Sequence, residues 1–314
     1  MIRVAVIGAA GYTGGEVIRL LLHHPEVGHR NILSVSTSHA GRPVSSVHQD
    51  LVGEFDTSFV NDETLSDVDV VFLCQGHGKS REWIVRAELH ESVIVIDLSA
   101  DHRLAASWCY GLPEKTRDAI RTSKRIANPG CFATCIELGL LPLAENGRIV
   151  GDVHTQATTG STGAGQAPSE TTHFSWRSSN LGVYKAFTHQ HLDEISMTLG
   201  IKPVLIPLRG SFTRGILSAS VLRTELDASD VHALFVRRYA DQPFTHIVDD
   251  LPDVKRVVNT NKCLIGIEKH GDHLLIVSVI DNLLKGASGQ AVQNMNIACG
   301  FDERSGLDLK SSVY

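Results

Sequence analysis

No stretch of the chain approaches the ~20 consecutive apolar residues that would span a bilayer. The run LLIVSVI (274–280) has only the length of a strand. A basic block is also missing, and a net charge of −6 argues against a nucleic acid or an anionic membrane as partner. Cysteine is sparse: six among 314 residues cannot form a disulfide scaffold, and such residues are expected as thiols in a reducing cytoplasm. The opening MIRVAVIGAAGYTGG lacks the features of a secretory signal, because glycines interrupt its apolar run and no small-residue cleavage site follows. Internal repeats and low-complexity segments are absent as well, and the histidines are scattered. These absences leave the composition of an ordinary globular protein.

What is present begins with strand-like aliphatic runs at 2–8, 31–37, 69–74 and 92–99, with an amphipathic helix expected over 14–24. Near-continuous apolar strands separated by helices or loops imply a parallel sheet covered on both faces, the doubly wound α/β arrangement of a Rossmann-type domain. After residue 130 the pattern changes. A helix over FATCIELGLLPLAENG, stopping near Pro142 to Gly147, is followed by alternating strands in DVHTQATTG, PVLIPLRG and RGILSASVLRTEL. A hairpin then turns at HGD (270–272), and the whole suggests an inserted α+β domain. The segment 288–300 reads as a helix packing back on the first domain. The expected division is 1–130 with 285–314 for nucleotide binding, and 131–284 for catalysis, substrate and oligomerisation.

The loop GAAGYTGG (8–15) places Gly8, Gly11 and Gly14 between a strand and a helix, with Tyr12 and Thr13 at the helix start. Glycine allows close backbone approach, and a helix N-terminus offers N–H groups to a phosphate, so this is the candidate dinucleotide loop; a plain glycine turn is the alternative. An NAD site usually ends its second strand in an acid that holds the ribose 2′-hydroxyl. Here that end reads VSTSHAGR, in which Ser36, Ser38 and Arg42 can meet a 2′-phosphate, favouring NADP(H).

In NPGCFATC (128–135), a Pro-Gly turn delivers Cys131 to the first turn of a helix, where N–H groups and the dipole favour a thiolate and could hold an oxyanion. Cys135, flanked by apolar residues, reads as a buried bystander. THQHLDEI (188–195) offers His189, His191 and Glu194, with His191 and Glu194 on one face of a helix starting there. In that helix His189 would point roughly 200° away from His191. A histidine can serve as acid–base partner of a thiol, yet Cys131, Cys135, His189 and His191 could also form a Cys₂His₂ zinc site. Arg103, Ser161 in TGSTGAG and Arg214 in FTRGIL are candidates for anionic groups of a substrate. Asn282 in DNLLKGASGQA could reach a nicotinamide carboxamide or cap a helix.

Taken in order, these motifs resemble the N-acetyl-γ-glutamyl-phosphate reductase family, within the glyceraldehyde-3-phosphate dehydrogenase-like semialdehyde dehydrogenases, nearly end to end. The resemblance implies an NADP-binding Rossmann domain, an inserted α+β domain and a C-terminal helix rejoining the first. It puts the nucleophile at Cys131 and the catalytic histidine at His191 with Glu194 after it, and implies a homodimer or homotetramer acting on an N-acylglutamyl phosphate. It leaves no metal in the site. Gln190 and Asp193 depart from the family's HRHTPEI-like pattern. Readings that remain beside it are an N-succinyl, aspartyl or aminoadipyl phosphate as substrate, and a zinc-dependent or NADP-sensing binding protein.

Overall fold

A computed structural model describes every residue except 63, 64, 66 and 314. The chain divides into two compact units: Met1–Pro129 with Ala287–Asp308, and Gly130–Gly286 with the tail from Leu309.

The first unit contains β1 (Ile2–Ile7), α1 (Tyr12–Leu21), β2 (Val27–Val35), β3 (Val70–Leu73), α2 (Lys79–Ala87), β4 (Ile94–Asp97), β5 (Cys109–Tyr110), α3 (Pro113–Thr122) and β6 (Arg125–Ala127). The strands form one sheet in the order β2-β1-β3-β4-β6-β5, with all neighbours parallel. Every residue of β3 and β4 is buried, as expected of strands covered on both faces. The order reverses between β1 and β3, and the glycine loop emerges from β1 at that switch point, the usual place for a ligand on such a sheet. Strands β5 and β6 have only two and three residues, too short to leave an apolar run in the sequence.

The second unit contains α4 (Cys131–Glu145), β7 (Val150–Thr159), α5 (Phe174–Arg177), β8 (Gly182–Val183), α6 (Leu192–Leu199), β9 (Val204–Arg209), β10 (Ile216–Arg223), α7 (Ala228–Tyr239), β11 (Thr245–Val248), β12 (Cys263–His270) and β13 (His273–Ile280). Its mixed sheet runs β11-β12-β13-β10-β7-β9-β8. The expected hairpin joins β12 to β13, with His270 paired to His273 across Gly271 and Asp272. The alternating burial of β7 and β10 marks one covered face, and α4 lies across β10 and β13 with α6 and α7 against it. The last helix, α8 (Gly289–Cys299), belongs to the first unit and packs on α1 and α3. Two of its buried amides reach polar partners there: Asn294 Nδ2 donates to Gly111 O (2.9 Å) and Asn128 Oδ1 (3.0 Å), and Asn296 Oδ1 meets His24 Nε2 (2.8 Å). Among the described residues no helix is long and apolar enough to cross a membrane.

The helix ends inside the expected 142–147 window: α4 runs through Pro142 to Glu145. Proline there removes the N–H that would bond to the carbonyl of Leu138, one turn back. The hydroxyl of Tyr239, on α7, donates to that carbonyl instead (2.6 Å). With every residue from Phe132 to Leu143 buried, packing on all sides holds the helix together across the gap. Tyr239→Phe would strand a buried carbonyl and should lower unfolding free energy by about 1–3 kcal/mol, read as a shift in urea midpoint at unchanged slope.

Candidate active site

In the first unit, Gly8 has a φ of +82°, and a Cβ there would lie 2.9 Å from the backbone of Cys74. A Cβ on Gly14 would meet Gly8 O at 2.6 Å, so loop and helix can approach this closely only as glycine. Helix α1 is N-capped by Gly11 without any side-chain capping hydrogen bond. A glycine cradle ending in an uncapped helix N-terminus fits the pyrophosphate of a dinucleotide. His48, which the motifs did not single out, holds this loop from behind: its Nε2 lies 2.7 Å from Ala9 O, and its ring fills the space a Cβ on Gly15 would need. Beyond β2, Ser38 Oγ lies 2.9 Å from His39 Nδ1 and Ser36 Oγ 3.3 Å from it, with the exposed Arg42 three residues on. His39 is thus a further polar group among those expected to meet a 2′-phosphate. Arg103 is buried in this unit, donating from Nε to Asn128 O (3.0 Å) and from a terminal nitrogen to Leu98 O (3.1 Å).

In the second unit, Cys131 is the first residue of α4, partly exposed, after the extended Gly130. Glu194, in the first turn of α6, is buried and accepts the Gly130 N–H at Oε2 (2.9 Å), while its Oε1 lies 3.9 Å from His191 Nε2. The helix beginning at Leu192 therefore brings His191 and Glu194 to the turn that carries Cys131. Glu194, expected to touch substrate, instead binds the turn and faces the histidine. A π-helical turn, Leu284–Ser288, passes on another side, where a Cβ on Gly286 would lie 2.8 Å from Cys131 Cβ. Such turns often sit at functional sites.

His189 is not turned away from His191. Residues 188–191 form a turn ahead of the helix, so helical spacing does not apply, and the two rings lie 4.6 Å apart. His189 Nδ1 accepts the His191 backbone N–H (3.2 Å), and its ring packs edge-on against Phe132 and Tyr184. Burial, reinforced by the charges of Lys185 and Arg209, lowers its pKa to about 4, so it stays neutral and positions its neighbour. Cys135 is buried one turn into α4, with its Sγ 3.3 Å from Ser278 O, and burial pushes its thiol up to about 12. It is a core residue, and among the described residues no group of three or more His, Cys, Asp or Glu side chains is placed to hold a metal. Gln190 and Asp193 are both exposed, so the two departures from the family pattern lie at the surface.

Arg214 and Asn282 differ from expectation in a common way. Arg214 pairs with the fully buried Asp281 (Nε to Oδ2, 3.0 Å), whose carboxylate also accepts the N–H groups of Asn259, Leu283 and Leu284. Asn282 accepts the Gly215 N–H (2.7 Å) and donates to Thr162 Oγ1 (3.0 Å). These side chains join the loops after β7 and before β10, where Ser161 N–H donates to Phe212 O (2.8 Å) and Thr162 N–H to Thr213 O (3.1 Å). Ser161, in that joined loop, remains partly exposed. Both ends of the Asn282 amide are therefore engaged in holding loops together.

Two outcomes follow from this geometry. Gly286→Ala would press a methyl against Cys131 Cβ and force the turn to shift, so iodoacetamide alkylation of that thiol should slow at least several-fold and the melting temperature should fall. The unfolded chain protonates His189 near its ordinary value of 6.5, whereas the folded protein does so only near 4. Its contribution to stability is therefore lost progressively as pH falls through that window. Urea midpoints between pH 7 and 4 should decline less steeply for His189→Asn than for wild type.

Residues 3–123 match the model of a semialdehyde dehydrogenase NAD binding domain, and residues 131–282 that of a semialdehyde dehydrogenase dimerisation domain. The chain is 48% identical over its full length, and that of the relative, to an N-acetyl-gamma-glutamyl-phosphate reductase of Azobacteroides pseudotrichonymphae. It is 49% identical, again over all of both chains, to a protein of the same name from Bacteroides fragilis. Among solved structures, aspartate semialdehyde dehydrogenase II of Vibrio cholerae superposes with a TM-score of 0.74 at 18% identity, covering 96% of this chain and 98% of that one. The aspartate semialdehyde dehydrogenase of Candida albicans gives 0.70 at 16% identity over 95% and 98%. These structures share the fold, with its nicotinamide-nucleotide-binding domain. With full-length relatives near half identity and both domain models matched in order, the chain belongs to the N-acetyl-gamma-glutamyl-phosphate reductase family of semialdehyde dehydrogenases.

Proposed function

We propose that the protein reduces N-acetyl-L-glutamyl 5-phosphate to N-acetyl-L-glutamate 5-semialdehyde and phosphate with NADPH, as a step in arginine biosynthesis. The observation that carries this reading is the meeting of Cys131, His191 and Glu194 at the starts of α4 and α6, in a chain whose full-length relatives bear that name. The Cys131 thiolate attacks the acyl carbon, an S–C bond forms, and the C–O bond to phosphorus breaks with inorganic phosphate leaving. Backbone N–H groups at the start of α4 face the oxygen that gains charge. NADPH held by the glycine loop supplies the hydride. His191 gives and takes the proton as the tetrahedral adduct on sulfur collapses to the aldehyde, and Glu194 keeps the imidazole oriented. Arg103 and Ser161 are assigned to the substrate's anionic groups, and Arg214 supports that region from its pair with Asp281.

Gly8, Gly11, Tyr12, Thr13 and Gly14 would hold the pyrophosphate. The acid-free end of β2, with Ser36, Ser38, His39 and Arg42, supports NADP over NAD. A homodimer or homotetramer fits the match to a dimerisation domain, and six free thiols suit the reducing cytoplasm.

The test is phosphate-dependent reduction of NADP⁺ by purified protein supplied with N-acetylglutamate semialdehyde. Cys131→Ala should abolish turnover and leave NADP binding intact, whereas Cys135→Ala should retain activity. A Cys131→Ala enzyme that still turned over would refute the thioester route. In the forward direction kcat/KM with NADPH should exceed that with NADH by at least ~10-fold, about 1.4 kcal/mol, and Arg42→Ala should erode that ratio. Equal use of both cofactors by the wild type would remove the assignment of β2.

A further inference from the structure

Arg209 is the last residue of β9, paired in register with Thr159 at the end of β7, where the loop carrying Ser161 begins. On its other side it pairs with Gly182 of β8. Its guanidinium lies over the ring of Tyr184, with Cζ 4.5 Å from the centroid. Tyr184 packs against His189 (centroids 5.8 Å), and His189 against His191. Burial pushes the Tyr184 hydroxyl up to about 12, with the negative charge of a Cys131 thiolate as the next contribution. Arg209 is thus one aromatic ring away from the groups assigned to chemistry, entirely within the second unit.

The arginine is only partly satisfied where it stands, by a side-chain hydrogen bond with Tyr184. Its Nε is buried and has no hydrogen-bond partner among the described residues. A buried donor on a charged group that lacks an acceptor is costly, and such groups are seldom kept without a reason. Arg214 at the neighbouring loop shows the contrasting case, its charge met by the buried Asp281. Beyond burial, the groups that depress the protonation of His189 are cations, Lys185 and Arg209 itself. The buried Arg177 adds a further positive charge, donating to Arg209 O (2.8 Å) and so fixing the strand end. A guanidinium seated over an aromatic ring can still offer N–H donors to a planar, bidentate acceptor. Among the groups of an N-acylglutamyl phosphate, the carboxylates match that shape.

We propose that Arg209 binds a carboxylate of the substrate in the Cys131 site, a role that rests on the N-acylglutamyl phosphate reading above. Two carboxylates share this chemistry: the α-carboxylate of the glutamyl part, and one carried on the acyl group if that group is a dicarboxylic acid such as succinyl. Contact at the first would fix the substrate's orientation. Contact at the second would select the acyl group.

The experiment measures phosphate-dependent NADP⁺ reduction with N-acetyl- and N-succinylglutamate semialdehydes on wild type, Arg209→Met and Arg209→Lys. Methionine keeps the apolar stem over Tyr184 and removes the charge. Arg209→Met should raise KM for semialdehyde roughly tenfold or more, with a smaller change in kcat and an unchanged KM for phosphate, as expected for loss of one charge-assisted contact. Arg209→Lys should recover part of the loss. An equal effect on both substrates assigns the α-carboxylate, and a larger effect on the succinyl compound assigns the acyl carboxylate. Semialdehyde KM values within twofold of wild type, or a rise confined to phosphate, would overturn the proposal.

Protection of Cys131 from iodoacetamide by N-acetylglutamate and N-succinylglutamate provides a readout without turnover, and melting curves check that the variants fold. If Arg209→Met fails to fold, the Arg209→Lys comparison decides, since a lysine that binds as well as arginine contradicts a bidentate contact. If wild type turns over neither semialdehyde, the proposed reaction is wrong. Protection that then depends on Arg209 would still uphold a carboxylate site, and protection indifferent to Arg209 would reject it.

Discussion

The hydrogen bond from Gly130 N–H to Glu194 Oε2 joins two helix starts that lie 64 residues apart in the chain. It places a buried carboxylate against the turn that carries Cys131 and, through the other oxygen, beside His191. A buried charge is tolerated only where its partners are in place, so this contact admits few alternative arrangements of α4 and α6. The position of the thiol at the helix N-terminus, the histidine beside it and the close passage of Gly286 all depend on that one junction holding.

Charge is divided in the second unit according to whether it is met. Asp281 gathers Arg214 and three backbone N–H groups, and Asn282 ties the two loops beside it, so these residues build the wall of the site. Burial holds His189 neutral, and the positive potential of Lys185 and Arg209 reinforces it. A site for an acyl phosphate bearing carboxylates benefits from such a bias, because the substrate brings the missing negative charge. Burial, with that bias behind it, lets two adjacent histidines differ in role: His189 stays neutral and accepts the backbone N–H of His191, which is then oriented for proton exchange.

The first unit relies on close approach rather than on charge. Gly8 and Gly14 let strand, loop and helix pack at distances a side chain would prevent, and the buried amides of α8 close the unit against β5 and β6. The amide nitrogens of Asn294 and Asn296 and the Asn296 Oδ1 find polar partners, which lowers the cost of burying a helix so rich in Asn and Gln.

Local pattern alone determined much. The apolar runs located β1 to β4, the alternation located the longer strands of the second sheet, and the glycine loop and the Pro-Gly-Cys turn announced their chemistry through backbone requirements that only particular residues meet. These signals survive because they act over a few neighbouring residues, where sequence and conformation correspond directly. Tertiary structure decided the rest. That α4 passes through Pro142 depends on Tyr239, nearly a hundred residues away, supplying the missing donor. That His189 faces His191 depends on a turn closed before the helix begins. That Arg214 is paired while the Arg209 Nε has no acceptor among the described residues depends on where Asp281 lies, just past the end of β13. Each of these outcomes is set by the burial of a polar group and by which distant atom reaches it, and such pairings leave no periodic trace in the chain.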